Sequence, residues 1–180
     1  MRKALYIMGI LDDSDVEWLS RNGTRKFIPA GAVIVHQGEA VDSLFIVLDG
    51  QLLVYSGSLE IAKLQCGEVV GEISFVDSRP PLASVRAAHD TQVLSINAEL
   101  LKAKLEKDVG FASRFYRALA TFLADRLRVT TSRFGYGSHD QDLGEQGDPD
   151  ELHLDLMDSI ALASTRFDKM LKRLAEGSGT

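Results

Sequence analysis

The sequence predicts a mainly β domain flanked by helices, and three observations carry that expectation. Between Lys26 and Leu94 the chain runs as short apolar segments punctuated by glycine, at the length and turn spacing of a β-sandwich or barrel. Before and after that stretch the apolar spacing changes to the three-and-four rhythm of helices. A hydrophobic fraction of 45%, with eight Phe and one Trp, supplies enough apolar surface for a folded core. A chain of 180 residues suits one domain plus an appendage better than two domains.

The elements follow in order. L-D-D-S-D-V-E-W-L-S-R-N-G, ending at Gly23, places acids where a helix start favours them, then apolar Val16, Trp18 and Leu19, then a glycine stop. F-I-P-A-G, A-V-I-V-H-Q-G, S-L-F-I-V-L-D-G, Q-L-L-V-Y-S-G and T-Q-V-L-S-I read as strands. A helical reading would bury glycines inside helices at about 1 kcal/mol each relative to alanine. From Ala98, A-E-L-L-K-A-K-L-E-K-D puts Leu101 and Leu105 on one face. From Gly110, residues Phe111, Phe115, Ala118, Leu119, Phe122 and Leu127 form a stripe on a helix expected to reach about Arg133.

The stretch 135–148 holds four glycines and no apolar period, and it reads as a flexible linker between a domain at 1–134 and a last element at 149–176. That last element opens with Asp148 as N-cap, Pro149 in the first helical position and Glu151 as capping-box partner. Leu152, Leu156, Ile160, Ala163, Phe167, Met170 and Leu174 recur at helical spacing as far as about Glu176, and Leu154, Met157, Leu162 and Leu171 widen the face. A face so wide must pack on the domain, on a second copy or on a partner.

Composition narrows the function. A net charge of −6 argues against sequence-independent binding to nucleic acid. Arginines gather between Arg114 and Arg133 and acids between Asp140 and Asp158, an asymmetry that fits either contact between the two segments or two solvated faces. No apolar run is long enough to span a bilayer, and the start lacks the apolar core of a secretion signal, so a cytoplasmic location and no membrane contact are expected. Cys66, the only cysteine, is expected as a buried small apolar residue. His36, His89, His139 and His153 fall in no metal-ligand spacing, and neither a nucleophile elbow nor a phosphate-binding P-loop is present, so neither catalysis nor a metal site is expected. H-D-Q-D-L-G-E at 139 lacks the ligand spacing of a calcium loop.

The chemistry concentrates in one stretch. A helix beginning after Gly71-Glu72 would present free backbone N–H groups, with glycine allowing close approach and Glu72 accepting from a hydroxyl beside them. The runs P-A-G-A-V-I-V-H-Q-G-E-A-V-D-S-L-F-I-V-L-D-G-Q-L-L-V from Pro29 and G-E-V-V-G-E-I-S-F from Gly67, followed by A-S-V-R-A at 83–87, together resemble the cyclic nucleotide-binding domain family. The resemblance covers residues 10 to about 133. It implies a jelly-roll-like β-roll turned at Gly31, Gly38 and Gly50, with an N-terminal helix and a long dimerisation-type helix, to which the C-terminal helix read from the apolar spacing is an extra element.

It also implies a phosphate and ribose site at Gly71, Glu72, Ile73, Ser74, Ala83 and Ser84. Glu72 would take the ribose 2′-hydroxyl, and the Ala83-Ser84 step would donate to the phosphate. The ligand implied is cAMP or cGMP, with no required cofactor. A-D-R-L-R-V-T-T from Ala124 resembles the dimer helix of catabolite-activator-type members, which places Thr130 and Thr131 on the base.

One position departs from the family. Pro81 stands where the family has the phosphate-binding arginine, and Arg79 lies two residues early, either swung inward or pointing to solvent. Losing a forked guanidinium contact costs about 2–3 kcal/mol, or roughly 30- to 150-fold in affinity, which leaves micromolar to millimolar binding. The acidic stretch after Arg133 is too short for the helix-turn-helix of catabolite-activator-type regulators, so no DNA binding is expected. Two functions remain: a stand-alone sensor signalling through a homodimer or a protein partner, or a degenerate β-roll serving only as a dimerisation and protein-interaction scaffold with no nucleotide ligand.

Overall fold

The computed structural model describes residues 5–135 and 151–176, so the Asp148–Pro149 cap and most of the acidic cluster from Asp140 to Asp158 lie outside the described residues or side chains. Two short helices, α1 (Leu5–Ile10) and α2 (Asp13–Asn22), precede eight strands: β1 (Thr24–Ile28), β2 (Val33–Val35), β3 (Ser43–Asp49), β4 (Gln51–Ser56), β5 (Leu59–Gln65), β6 (Val69–Val70), β7 (Ser84–Ala87) and β8 (Thr91–Asn97). Helix α3 (Glu72–Asp77) interrupts the strands, and α4 (Ala98–Lys107), α5 (Val109–Gly135) and α6 (Glu151–Glu176) follow.

The strands form two antiparallel sheets, ordered β1-β8-β3-β6 and β2-β7-β4-β5. This is the expected β-roll with flanking helices. Strand β3 explains why S-L-F-I-V-L shows no polar alternation: Phe45 and Val47 face the roll interior with Leu52, Leu64, Val85 and Val93, while Leu44, Ile46 and Leu48 face the helices. The first sheet is thus covered on both sides, and the second buries one. Gly50 turns between β3 and β4 at φ +92°, where an added Cβ would lie 2.6 Å from the Thr91 hydroxyl.

The helix layer is one core. Phe111, Phe115, Ala118, Leu119 and Phe122 of α5 are buried with Ile7, Met8, Leu11, Val16 and Leu19 and with Ala163, Phe167, Met170 and Leu174 of α6. The aromatic stripe is therefore consumed within one protomer. Leu127, which the helical spacing adds to that stripe, is instead 67% exposed, because the buried face passes through position 126.

Helix α6 packs on α1 and α2, so of the three supports expected for its apolar face the domain itself supplies one. Leu162 stays exposed. Arg166 fixes the seam: its Nη1 donates to the Met8 and Gly9 carbonyls at 3.2 Å and to the Leu11 carbonyl, and its Nε meets Asp13 Oδ1 at 2.7 Å. The guanidinium thereby satisfies the orphan carbonyls at the end of α1. Lys169 bonds the other Asp13 oxygen and Arg173 pairs with Glu17. Hydrogen bonds from Arg166 and Lys169 hold the Asp13 carboxyl below its usual range.

At the start of α2, Asp12 caps the helix and Asp15 completes the capping box. The buried Asp15 receives a two-pronged contact from Arg114 of α5 at 2.6 and 2.9 Å. So the first arginine of the basic segment pairs with α2. Cys66 contradicts the expectation of burial: it is exposed in the turn after β5, where its thiol donates to the Leu48 carbonyl at 3.1 Å.

Candidate functional site

The expected site begins where β6 meets α3. Gly71 takes φ +88°, and a Cβ there would come within 2.8 Å of the Ser43 carbonyl oxygen. Glycine is required by the fold itself, independently of any ligand's approach. Helix α3 lasts six residues: Phe75 N–H bonds the Gly71 carbonyl, Ser78 adopts φ 58°, and Pro80 and Pro81 cannot extend the helix. Its spacing turns Glu72 and Phe75 inward and leaves Ile73 and Val76 exposed.

Glu72 is the focus. Its residue is only 2% exposed, and its Oε1 is paired with Arg126 Nη1 from α5. Arg126 Nη2 donates to the Val69 carbonyl at 3.0 Å, and the guanidinium carbon stacks 4.4 Å from the centre of the Phe122 ring. Burial pushes the Glu72 carboxyl above its usual range, the Arg126 charge opposes that shift, and neighbouring Glu68 adds to it.

The second half of the expected site has other partners. Ser84 Oγ accepts from the Gln37 N–H at 3.0 Å, and the Pro81 carbonyl accepts from the Gly38 N–H at 2.9 Å. The cassette loop is thereby tied to the turn after β2. Ser84 lines a pocket of about 380 Å³ with Val33, Tyr55, Gly57, Ser58 and Arg86, and Glu72 is not part of that lining. Arg86 lies 4.3 Å from the centre of the Tyr55 ring and donates to its hydroxyl at 2.7 Å. Ala83 is half-buried beside Ser84, and Ser74 is half-buried with its carbonyl bound to the Ser78 N–H.

Of the two orientations open to Arg79, the structure shows the exposed one, with its N–H on Asp77 Oδ1 at 2.9 Å. Thr130 and Thr131 are exposed on α5, and the Thr130 hydroxyl donates back to the Arg126 carbonyl at 2.8 Å. They sit in a helix that continues to Gly135.

Arg126 is the residue that the motif reading missed. It lies inside the quoted A-D-R-L-R-V-T-T, four positions after Phe122, where the apolar stripe should continue. A charged residue on an otherwise apolar face is the signal, because it must find a partner where it is buried. Among the described residues no cluster of side chains could hold a metal ion, and no helix is long and apolar enough to cross a membrane.

Comparison with known proteins bears on the same segment. Residues 25–108 match the family described as cyclic nucleotide-binding domain. A stretch of 136 residues is 32% identical to an uncharacterized NTE family protein of Mycobacterium bovis, covering 73% of this chain and 23% of that protein. The chain thus spans about a quarter of that relative's length. A cyclic nucleotide-binding domain from Methylobacillus flagellatus superposes with a TM-score of 0.68 at 20% identity, over 78% of this chain and 85% of that one. The catabolite activator protein of Thermus thermophilus superposes with a TM-score of 0.59 at 25% identity, over 93% and 85%. The β-roll with its Gly71-Glu72 cassette and the matched segment lead to one conclusion: through residues 25–108 the chain belongs to the cyclic nucleotide-binding domain family.

Proposed function

We propose that this chain is a non-catalytic sensor module that takes cAMP, cGMP or a related cyclic phosphate weakly and passes occupancy on through α5. The observation that carries the reading is Glu72, a buried acceptor at the first turn of α3 whose carboxylate is held by a side chain of α5. What happens at the cassette is therefore felt by the long helix. The ribose hydroxyl is assigned to Glu72 and the phosphate to the loop from Gly71 to Ser84. With Pro81 in place of an arginine, affinity falls in the micromolar to millimolar range, about −8 to −4 kcal/mol.

The output is assigned to a homodimer or a protein partner. With the aromatic stripe buried, the exposed large apolar side chains described on α5 are Val109, Tyr116 and Leu127, and those beside the cassette are Ile73, Val76 and Leu82. These residues are the proposed contact surface, on a molecule in the cytoplasm without DNA contact. Because the NTE family relative is several times longer than this chain, the regulated partner is proposed to be either a separate protein or a further domain.

A second reading has its own support: Arg126 already fills the Glu72 site and Pro81 lacks the phosphate charge, as in a roll kept only as a scaffold. Calorimetric titration with cAMP and cGMP separates the two. A saturable heat in the parent chain, tightened about 30-fold or more by Pro81→Arg and weakened by Glu72→Ala, establishes the sensor. A folded Pro81→Arg variant that shows neither heat nor thermal shift at millimolar ligand establishes the scaffold.

A further inference from the structure

The second sheet buries one face in the roll, and its outer face carries a cavity that Glu72 does not line. Strand β7 decides what lines it. Val85 and Ala87 are buried in the roll interior, so Ser84 and Arg86 point to the opposite face. The register sets Ser84 opposite Tyr55 of β4 and Arg86 opposite Val33 of β2, and Gly57 and Ser58 of the β4–β5 hairpin complete a cavity of about 380 Å³.

The chemistry of that lining is one-sided. No carboxylate lines the cavity: Glu60, which the Tyr55 hydroxyl reaches at 3.4 Å, pairs instead with Lys63. The Arg86 guanidinium lies 4.3 Å from the centre of the Tyr55 ring and donates from Nη2 to its hydroxyl at 2.7 Å, which orients the fork and leaves its other N–H groups to donate. Ser84 Oγ accepts from the Gln37 N–H at 3.0 Å, so its own proton is left to donate as well. Gln37 also accepts at Oε1 from the Gly57 N–H at 3.3 Å, and it thereby ties the segments that carry the Ser84 and Ser58 hydroxyls to each other. A charged fork and two hydroxyls, positioned beforehand and facing no acid, suit an oxyanion.

We infer that this cavity is a second anion site, separate from the cassette: Arg86 forks onto a phosphate group, free or carried as a small monoester, while the Ser84 and Ser58 hydroxyls donate to its remaining oxygens. Exposed Val33 supplies an apolar wall beside the anion. Because Glu72 lies outside the lining, the inference does not depend on the assignment of a cyclic nucleotide to the cassette.

Backbone ¹H–¹⁵N spectra of the full chain test this, titrated with inorganic phosphate or glycerol 3-phosphate against sodium chloride of matched ionic strength. Both phosphates are expected to shift the amides of 33, 55–58 and 84–86 along saturable isotherms with midpoints of about a millimolar. A tighter midpoint for the ester assigns the site to small organic phosphates, and an equal or tighter one for inorganic phosphate assigns it to the free ion. Arg86→Gln should weaken either about tenfold or more, and Arg86→Lys should recover part of the loss. Ser58→Ala, in the exposed hairpin, should weaken binding about threefold without disturbing the fold.

Four results overturn the site: no saturable shift at those amides, shifts that sodium chloride reproduces, shifts confined to 71–83, or a folded Arg86→Gln variant that binds as tightly as the parent. Each of them leaves the cyclic nucleotide reading of the cassette to be decided by its own titration with cAMP and cGMP.

Discussion

Arg166 and Arg126 each tie a long helix to its neighbours, and they do so against different backgrounds. Arg166 of α6 lies over a seam in which Ala163, Phe167, Met170 and Leu174 are all buried, so its bonds to the α1 carbonyls reinforce a contact that apolar burial already makes. Arg126 of α5 marks the place where burial stops: Phe122 before it is 2% exposed and Leu127 after it 67%. A charged contact on an apolar seam is a lock, while the same contact at the edge of one is a latch. The difference follows from magnitudes, since burying one large apolar side chain contributes about 1.5–3 kcal/mol whereas a hydrogen bond contributes about 1 kcal/mol net.

Substitutions sharpen that comparison, beginning with the core shared by both helices. Phe115→Ala removes a fully buried ring that stacks with Phe111 and Phe75 and is expected to destabilise by about 3–5 kcal/mol in chemical denaturation. A loss below 1 kcal/mol would mean that the helix layer is not one core. Arg166→Ala should cost about 2 kcal/mol, because it leaves the carbonyls ending α1 without their donors. Its effect should be confined to α1, α2 and α6 in hydrogen exchange, and spread into the cassette would break the distinction between lock and latch.

Arg126→Gln should cost the ligand-free protein about 1–2 kcal/mol near neutral pH, and its pH dependence carries a definite sign. The folded-state Glu72 carboxyl already titrates above 4.5, so the folded chain holds that proton more tightly than the unfolded chain, and stability falls as pH rises through the raised value. Removing the Arg126 charge raises the folded value further. The deficit of the variant is therefore largest at neutral pH and shrinks as pH falls toward 4.5. Denaturant midpoints of parent and variant at several pH values check this, and a deficit that grows on acidification contradicts it.

The smallest effect is expected at Asp13, whose carboxyl is 60% exposed although Arg166 and Lys169 both reach it. Its lowered folded value makes the contribution present above 3.8 and lost as pH falls through that lowered value. Exposure limits the contribution to well under 1 kcal/mol, so Asp13→Asn should shift the midpoint of acid unfolding only slightly.

The elements most legible in the sequence were those whose signal is local. Short apolar runs gave β2 to β4, β8 and the end of β1, the acids before Val16 gave α2, and G-E-I-S-F gave the cassette turn. The misses have physical causes. Strand β5 is an edge strand with exposed Leu59 and Ile61, so it carries little of the burial pattern that marks the central strands. Helix α1 is short, lacks acids in its first turn, and owes its place to α5 and α6 rather than to its own propensity. The Glu72–Arg126 pair joins positions 54 residues apart, and a motif search keyed to the cassette does not reach so far along the chain. Cys66 was misplaced because residue type alone favours burial, whereas the tight turn into Gly67 keeps it at the surface.

Backbone ¹H–¹⁵N spectra of the full chain, recorded while cAMP or cGMP is titrated in, test most directly whether cassette and long helix act as one unit. The amides of 71–84 and those of 126–131 are expected to shift together along a single isotherm with a midpoint between micromolar and millimolar, while Phe111–Phe122 stay nearly still. Shifts at the cassette that leave 126–131 untouched would contradict the account, since Glu72 would then be reached without moving Arg126.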